Sequence, residues 1–275
     1  MAYNLFKIRC KKKWLKLLKE FFTAALGMQN QQTRLEVIAN NIANASTTGF
    51  KRANVFERNL IDARANFYNV KGDVEQNDPP IGSYYDFSEG AFQKTENPLD
   101  IAIDGEGFFL LEDAEGKQFL SRNGEFRFAE DGTIIRNDGK KLIGDAGPIK
   151  VSSEILSDAL LTQDGRAMNL RIAETGEIFL NDVEVGKIKL VKPEFQNSLQ
   201  RISNGEFILN GAGNVQEIDF DKIRVKQGWL ENSNVNVVSE MVQMIELQRY
   251  FEAGSKVIQT NDQTLDRSIN LGKYY

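Results

Sequence analysis

Residues 237–271 read VVSEMVQMIELQRYFEAGSKVIQTNDQTLDRSINL, and their spacing decides the fold. Val237, Met244, Phe251, Ile258 and Leu265 recur every seven residues, the repeat that keeps one stripe of an α-helix turned toward a partner. Met241 and Ile269 add apolar residues four positions on, whereas Gln248, Ser255 and Asp262 are polar there. No proline interrupts the stretch, and Ser233 or Asn234 is placed to accept from the first free backbone N–H groups. The spacing predicts one long amphipathic helix with an incomplete seam. Such a stripe packs either on the chain's own β domain or on a second helical surface.

Working outward, the segment from Glu20 to Asn44 has the same period. Phe21, Ala24, Met28, Leu35, Ile38, Ile42 and the following Ala45 share a stripe that Gln31 interrupts. Thr47-Thr48-Gly49 then ends the pattern, with glycine as the C-terminal stop. At 1.5 Å per residue the two helices span roughly 40–55 Å each. Between them, Asn-Gly and Asp-Gly pairs recur at 123–124, 131–132, 138–139, 164–165, 204–205 and 210–211. They suit type I′ hairpins, in which both central residues take positive φ. Short β-type runs lie between the pairs, among them Ile101-Ala102-Ile103, Phe108-Phe109-Leu110-Leu111, Phe126-Arg127-Phe128 and Lys187-Ile188-Lys189-Leu190-Val191.

The expected organisation is a basic extension over 1–19, a helix over 20–48, an extended connector over 49–83, a β-rich domain over 84–227 and a helical segment over 228–275. The fold class is α+β: N- and C-terminal helices pair as a discontinuous coiled coil around a β-rich antiparallel centre.

The 275 residues include no histidine and one cysteine, Cys10. Histidine-dependent triads, the common imidazole zinc sites and an intrachain disulfide are therefore excluded. Charge is split. Residues 1–19 carry seven basic side chains and no acid, whereas the remainder has 27 basic against 39 acidic residues, a net of −12. So acidic a body disfavours nucleic acid, which requires a basic face. The basic start suits a signal n-region, an amphipathic anchor or a solvated tail. The apolar run after it, Phe21–Leu26, is short of the roughly 7–15 residues of a signal core. No stretch approaches the roughly 20 apolar residues of a membrane-spanning helix.

No stretch carries a convincing catalytic or ligand-binding pattern. Asp104-Gly105-Glu106-Gly107 brings two carboxylates together, but a hairpin turn accounts for it better than a glycosidase pair. It also resembles the start of a dinucleotide fingerprint, yet Leu110 stands where the third glycine belongs. No phosphate-binding loop occurs, and the Asp-Gly pairs do not extend into a calcium loop. No catalytic residue, cofactor, metal or small-molecule substrate is expected.

Asn40, Asn41 and Asn44 crowd the end of the first helix, suiting either a simple C-cap or a specific interface. The surrounding Arg34–Arg52, RLEVIANNIANASTTGFKR, closely resembles the N-terminal motif of bacterial flagellar rod and hook proteins. Leu230-Glu231-Asn232-Ser233-Asn234-Val235, Glu240-Met241-Val242 and Gln248-Arg249-Tyr250-Phe251-Glu252 resemble the matching C-terminal motif. Gly90-Ala91-Phe92, Asn97–Ile103, Gly107-Phe108-Phe109 and Ser121-Arg122-Asn123-Gly124 are similar to the family's β domain. The stretches Ile143–Ile149 and Val185–Val191 resemble the proximal rod type, while Ser233–Val237 resembles the distal type, the nearest alternative.

The resemblance implies a non-enzymatic subunit of the basal-body rod, the motility shaft that spans the periplasm. Its partners would be other proximal and distal rod subunits and the flagellar type III export apparatus, with no cleaved signal peptide. The interface would run through Met28, Leu35, Ile38, Asn40, Asn41, Ile42 and Asn44, and through Val237, Met241, Met244, Phe251, Ile258 and Leu265. The leader Met1–Lys16 departs from the family, which suggests initiation near Leu17 or Leu18. A carboxylate enzyme and a secreted adhesin with a coiled-coil stalk are the competing classes.

Overall fold

The computed structural model describes residues 27–57, 81–151, 170–181, 183–195, 199–203, 205–209, 215–218 and 224–272. The basic leader, Phe21, Ala24, the middle of the connector at 58–80 and the Asp164-Gly165 and Asn210-Gly211 pairs lie outside them, as do the side chains of Leu265 and Ile269.

Helix α1 covers 27–43. Strands β1 (Ala53–Glu57), β2 (Ile81–Tyr85), β3 (Phe92–Lys94), β4 (Ile101–Asp104), β5 (Phe108–Glu112) and β6 (Gln118–Ser121) follow. Next come β7 (Phe126–Phe128), β8 (Ile134–Arg136), β9 (Lys141–Gly144), β10 (Gly147–Pro148), β11 (Leu170–Ile172), β12 (Glu177–Leu180) and β13 (Val183–Lys187). The series ends with β14 (Leu190–Pro193), β15 (Leu199–Ser203), β16 (Glu206–Leu209), β17 (Val215–Glu217), β18 (Arg224–Gln227), β19 (Trp229–Glu231) and helix α2 (Val237–Gly272). The fold is α+β. One compact unit gathers the described parts of Met1–Ile42, Ala53–Ser83 and Asn236–Tyr275, and a second gathers those of Ala43–Arg52 and Tyr84–Val235.

In the second unit a ten-stranded sheet runs β15-β16-β6-β5-β9-β8-β7, with β10, β14 and β17 attached to its side. A three-stranded sheet β11-β12-β13 and the pairs β18-β4 and β19-β3 accompany it. The ladders within and around the large sheet are antiparallel. Strand β5 explains the layering. Successive strand residues face opposite sides. Phe109 and Leu111 enter one core with Ile101, Ile134, Leu142 and Leu190. Phe108 and Leu110 enter another with Leu120, Ile143, Val191 and Phe207. A run apolar at every position is what a strand buried on both faces requires. The second core is aromatic: Phe87 and Phe108 meet edge-on at 5.5 Å, and Tyr85 and Phe207 at 5.1 Å. Phe108 and Phe207 are buried, each contributing about 1.5–3 kcal/mol, and Tyr85 and Phe87 are half-buried against them.

Turn chemistry departs from the expectation in a regular way. At Asp131-Gly132 and Asp138-Gly139 only the glycine takes positive φ, +80° and +88°. Gly132 N–H donates to Ala129 O and Ala129 N–H to Thr133 O; Arg136, Gly139 and Lys140 repeat the pattern. Asp113, Gly116 and Lys117 repeat it again, as do Ala173, Gly176 and Glu177. These are three-residue loops closed by a left-handed glycine, not two-residue type I′ turns. The expected hairpin at Asp104–Gly107 is likewise replaced. Strand β4 pairs with β18, and β5 pairs elsewhere, so this turn carries the chain from one sheet to another.

At the Arg136–Lys140 tip, Arg136 and Lys140 both reach Asp138 and Glu206. Burial pushes the Asp138 carboxyl up, but the hydrogen bonds and charges of Arg136 and Lys140 outweigh it and bring the group down to about 2.

Candidate assembly site

The first unit contains the helices. Asn236 caps α2: its Oδ1 accepts Ser239 N–H at 3.1 Å, and its carbonyl accepts Glu240 N–H at 3.0 Å. The expected caps are engaged otherwise. Ser233 Oγ accepts Val235 N–H, and Asn234 Oδ1 accepts Arg52 N–H at 2.7 Å.

Asn41, fully buried on α1, satisfies both backbone groups of Ala53, donating to its carbonyl at 2.9 Å and accepting its N–H at 3.0 Å. Its Nδ2 also reaches Glu240 Oε2 on α2 at 3.1 Å. Further along, Met28 lies against Gly254, close enough that a Cβ there would sit 3.4 Å from the Met28 side chain. Among the described residues the helices thus share a polar contact and an apolar one.

The face of α2 turned inward carries Glu240, Met244, Leu247, Gly254 and Ile258, all buried or half-buried. Opposite it, Val238, Met241, Val242 and Ile245 are exposed at 72%, 51%, 51% and 51%. A helix apolar on two sides has more surface to cover than one neighbour supplies.

The expected interface residues divide accordingly. On α1, Ile38 and Asn41 are buried, Met28, Leu35, Ile42 and the following Asn44 are half-buried, and Asn40 is exposed. On α2, Met244 and Ile258 are half-buried and Val237, Met241 and Phe251 are exposed. Leu265 has its side chain outside the described residues. Leu247 and Glu240 were not expected. Three-residue spacing from Met244 would have indicated Leu247, but the charge on Glu240 hides the seam that joins them.

The second unit contains a latch that the sequence does not announce. Lys51, 1% exposed, donates to Glu231 Oε1 at 2.5 Å and to Ser88 O at 2.8 Å. Glu231, also 1% exposed, accepts Gly90 N–H at 2.9 Å and Arg122 Nη1 at 3.3 Å. Arg122 Nη2 reaches Gly105 O at 2.7 Å. Burial draws Lys51 and Arg122 below their usual ranges, and the Glu231 charge opposes that shift in both.

Gly49, at φ +69°, donates its N–H to Glu231 O at 2.7 Å. A Cβ there would lie 2.4 Å from the backbone at Arg122 and Asn123, so only glycine passes. Beside it the Arg201 guanidinium, lowered to about 10 by burial, lies over Phe50 at 4.3 Å and Tyr85 at 4.4 Å. Its Nη2 donates to Lys51 O. Asn234 Nδ2 closes the set on Asp86 O and Ser88 O. Residues from both end motifs and from the Gly90 and Arg122 motifs thus turn out to be one another's partners.

Comparison with known proteins finds family matches near both ends and in the middle of the chain. Residues 22–51 match the family described as flagella basal body rod protein. Residues 102–180 match the flagellar hook protein FlgE/F/G D1 domain, and residues 226–271 the flagellar basal body rod FlgEFG protein C-terminal family. The flagellar basal-body rod protein FlgG of Bacillus subtilis (strain 168) is 30% identical, with 93% of this chain and 99% of that protein covered. FlgG of Agrobacterium fabrum is 32% identical over 87% and 94% of the two chains. FlgF of Buchnera aphidicola subsp. Schizaphis graminum is 30% identical over 93% and 97%. With end-to-end similarity of this kind and both end motifs in place, the chain belongs to the flagellar basal-body rod protein family.

Proposed function

We propose that this chain is a structural subunit of the proximal rod of the bacterial flagellum, building the helical drive shaft by packing its terminal helices against those of neighbouring proximal and distal rod subunits. The single observation that carries the reading is the two-sided α2. One face meets α1 through Asn41–Glu240 and Met28–Gly254, while Val238, Met241, Val242 and Ile245 stay exposed. Contacts of this kind are head-to-tail and do not close, so they generate a filament. In this reading the chain performs no covalent chemistry and takes no small-molecule substrate. It is exported through the flagellar type III apparatus without a cleaved signal and spans the periplasm in the basal body. The proximal assignment is supported by the Ile143–Ile149 and Val185–Val191 stretches, since the relatives bear both the FlgG and FlgF names.

Phe251→Asp tests the helix seam. Phe251 is exposed in the single chain, and a charge in an apolar stripe that neighbouring subunits would cover is costly, so the variant abolishes swimming in soft agar while the β-rich unit keeps its thermal midpoint. Normal motility would sink the helix-interface reading. Deleting the gene tests the paralogue: basal bodies arrest before the distal rod is added. Basal bodies that keep an inner rod and lack only its outer part would move the chain to the distal type.

A further inference from the structure

The latch around Glu231 is unbalanced both in charge and in chain order. Two buried cations, Lys51 and Arg122, share one buried carboxylate. Glu89 also favours their charged forms and Glu106 that of Arg122, but both are exposed and engaged elsewhere, Glu89 accepting from Gly105 N–H and Glu106 from Lys192. Arg122 Nε, buried, has no hydrogen-bond partner among the described residues, so the guanidinium depends all the more on the contacts it does make. The carboxylate also comes last. Lys51 precedes Glu231 by 180 residues and Arg122 precedes it by 109. Strands β4 to β18 and almost all of both cores are complete before it.

A buried ion pair adds little net stability when whole, but removing one partner strands a charge in a low-dielectric interior. Here one deletion strands two. We propose that Glu231 is the closing element of the β-rich unit: without its carboxylate the unit is sharply destabilised, so a chain made from its N-terminus gains the full stability of the unit only when β19 is delivered. The location gives the device its use. Glu231 lies five residues before Asn236, the cap of α2. The unit reaches its full stability only when the chain has reached the threshold of the helix. The inference goes beyond the rod reading and does not depend on it.

The test uses the full-length chain in three forms, E231Q, K51M and K51M/E231Q, followed by urea unfolding and by hydrogen exchange of the β5 and β6 amides. The glutamine amide keeps the shape of the glutamate side chain and loses its charge. E231Q lowers the folded-to-unfolded ratio by on the order of a hundredfold or more, and β5 and β6 lose protection together. K51M costs less, because Glu231 still neutralises Arg122. K51M/E231Q is more stable than E231Q, because one of the two stranded charges has been removed. If E231Q fails to fold at all, recovery of folded protein in K51M/E231Q is the supporting result. The proposal is overturned if E231Q costs no more than K51M, or if the double variant is as unstable as E231Q or worse.

Discussion

Asn41 shows how much one side chain can settle. Its amide takes the place of a strand neighbour for Ala53 and at the same time holds α1 to Glu240. Asn41→Ala removes three hydrogen bonds from a buried site, and leaving such groups unmatched costs about 2–3 kcal/mol. A falling urea midpoint for the helix-bearing unit, with faster exchange at the Ala53 amide, is the expected result. Asp138 acts through its charge. Its carboxyl sits at about 2 when folded, against 3.8 ordinarily. The folded chain therefore binds fewer protons in that interval. The stability contributed by Asp138 is complete above pH 3.8 and is lost as pH falls toward 2. In urea titrations at stepped pH, the gap between wild type and Asp138→Asn should close over that window. A gap that persists unchanged at about pH 2 would show that shape, and not charge, is what the tip needs.

Elements were legible where their signals are local. The heptads of Val237–Leu265 and Met28–Ile42 announce both helices, and the Asp-Gly pairs at 131–132 and 138–139 mark where strands reverse. The kind of turn was not legible, because loop length follows from strand register, which distant partners set. The cap of α2 fails for a similar reason. Asn234 is a good cap by type, but Arg52 and Ser88 recruit it from far along the chain. The repeated glycine loops allow strain to be separated from collision. Gly116, at φ +83°, has open space where a Cβ would go; Gly132, at φ +80°, would place one 2.4 Å from Val151 O. Gly116→Ala is expected to cost about 1 kcal/mol, the left-handed strain alone. Gly132→Ala, which adds the collision, should cost about 3 kcal/mol or more. Equal urea midpoints for the two variants would refute the distinction.

Across the whole molecule, the family motifs were readable but their purpose was not. Lys51, Arg122 and Glu231 are ordinary charged residues in sequence, and nothing local marks them as one buried cluster. The outer stripe of α2 makes a second point: Met241 was expected in the seam, whereas Val238, Val242 and Ile245 were not, and all four stand exposed. Met241→Asp/Ile245→Asp changes two residues that are each half exposed, so the isolated chain should keep its stability to within about 1 kcal/mol. Swimming should nevertheless be lost, and purified basal bodies should contain no rod beyond this subunit. Loss of monomer stability instead would mean that the stripe serves the chain itself.

The bond between Gly49 and Glu231 has a mechanical meaning. It joins the first segment of the chain in the β-rich unit to the last through the Glu231 carbonyl, and Lys51 adds a second tie on the Glu231 carboxylate. A pull applied at residue 49 can pass directly to residue 231 without travelling through the strands between them. The sheets then hang beside the line of tension as an unloaded appendage. Their size and surface are free to vary without weakening the path that carries the force.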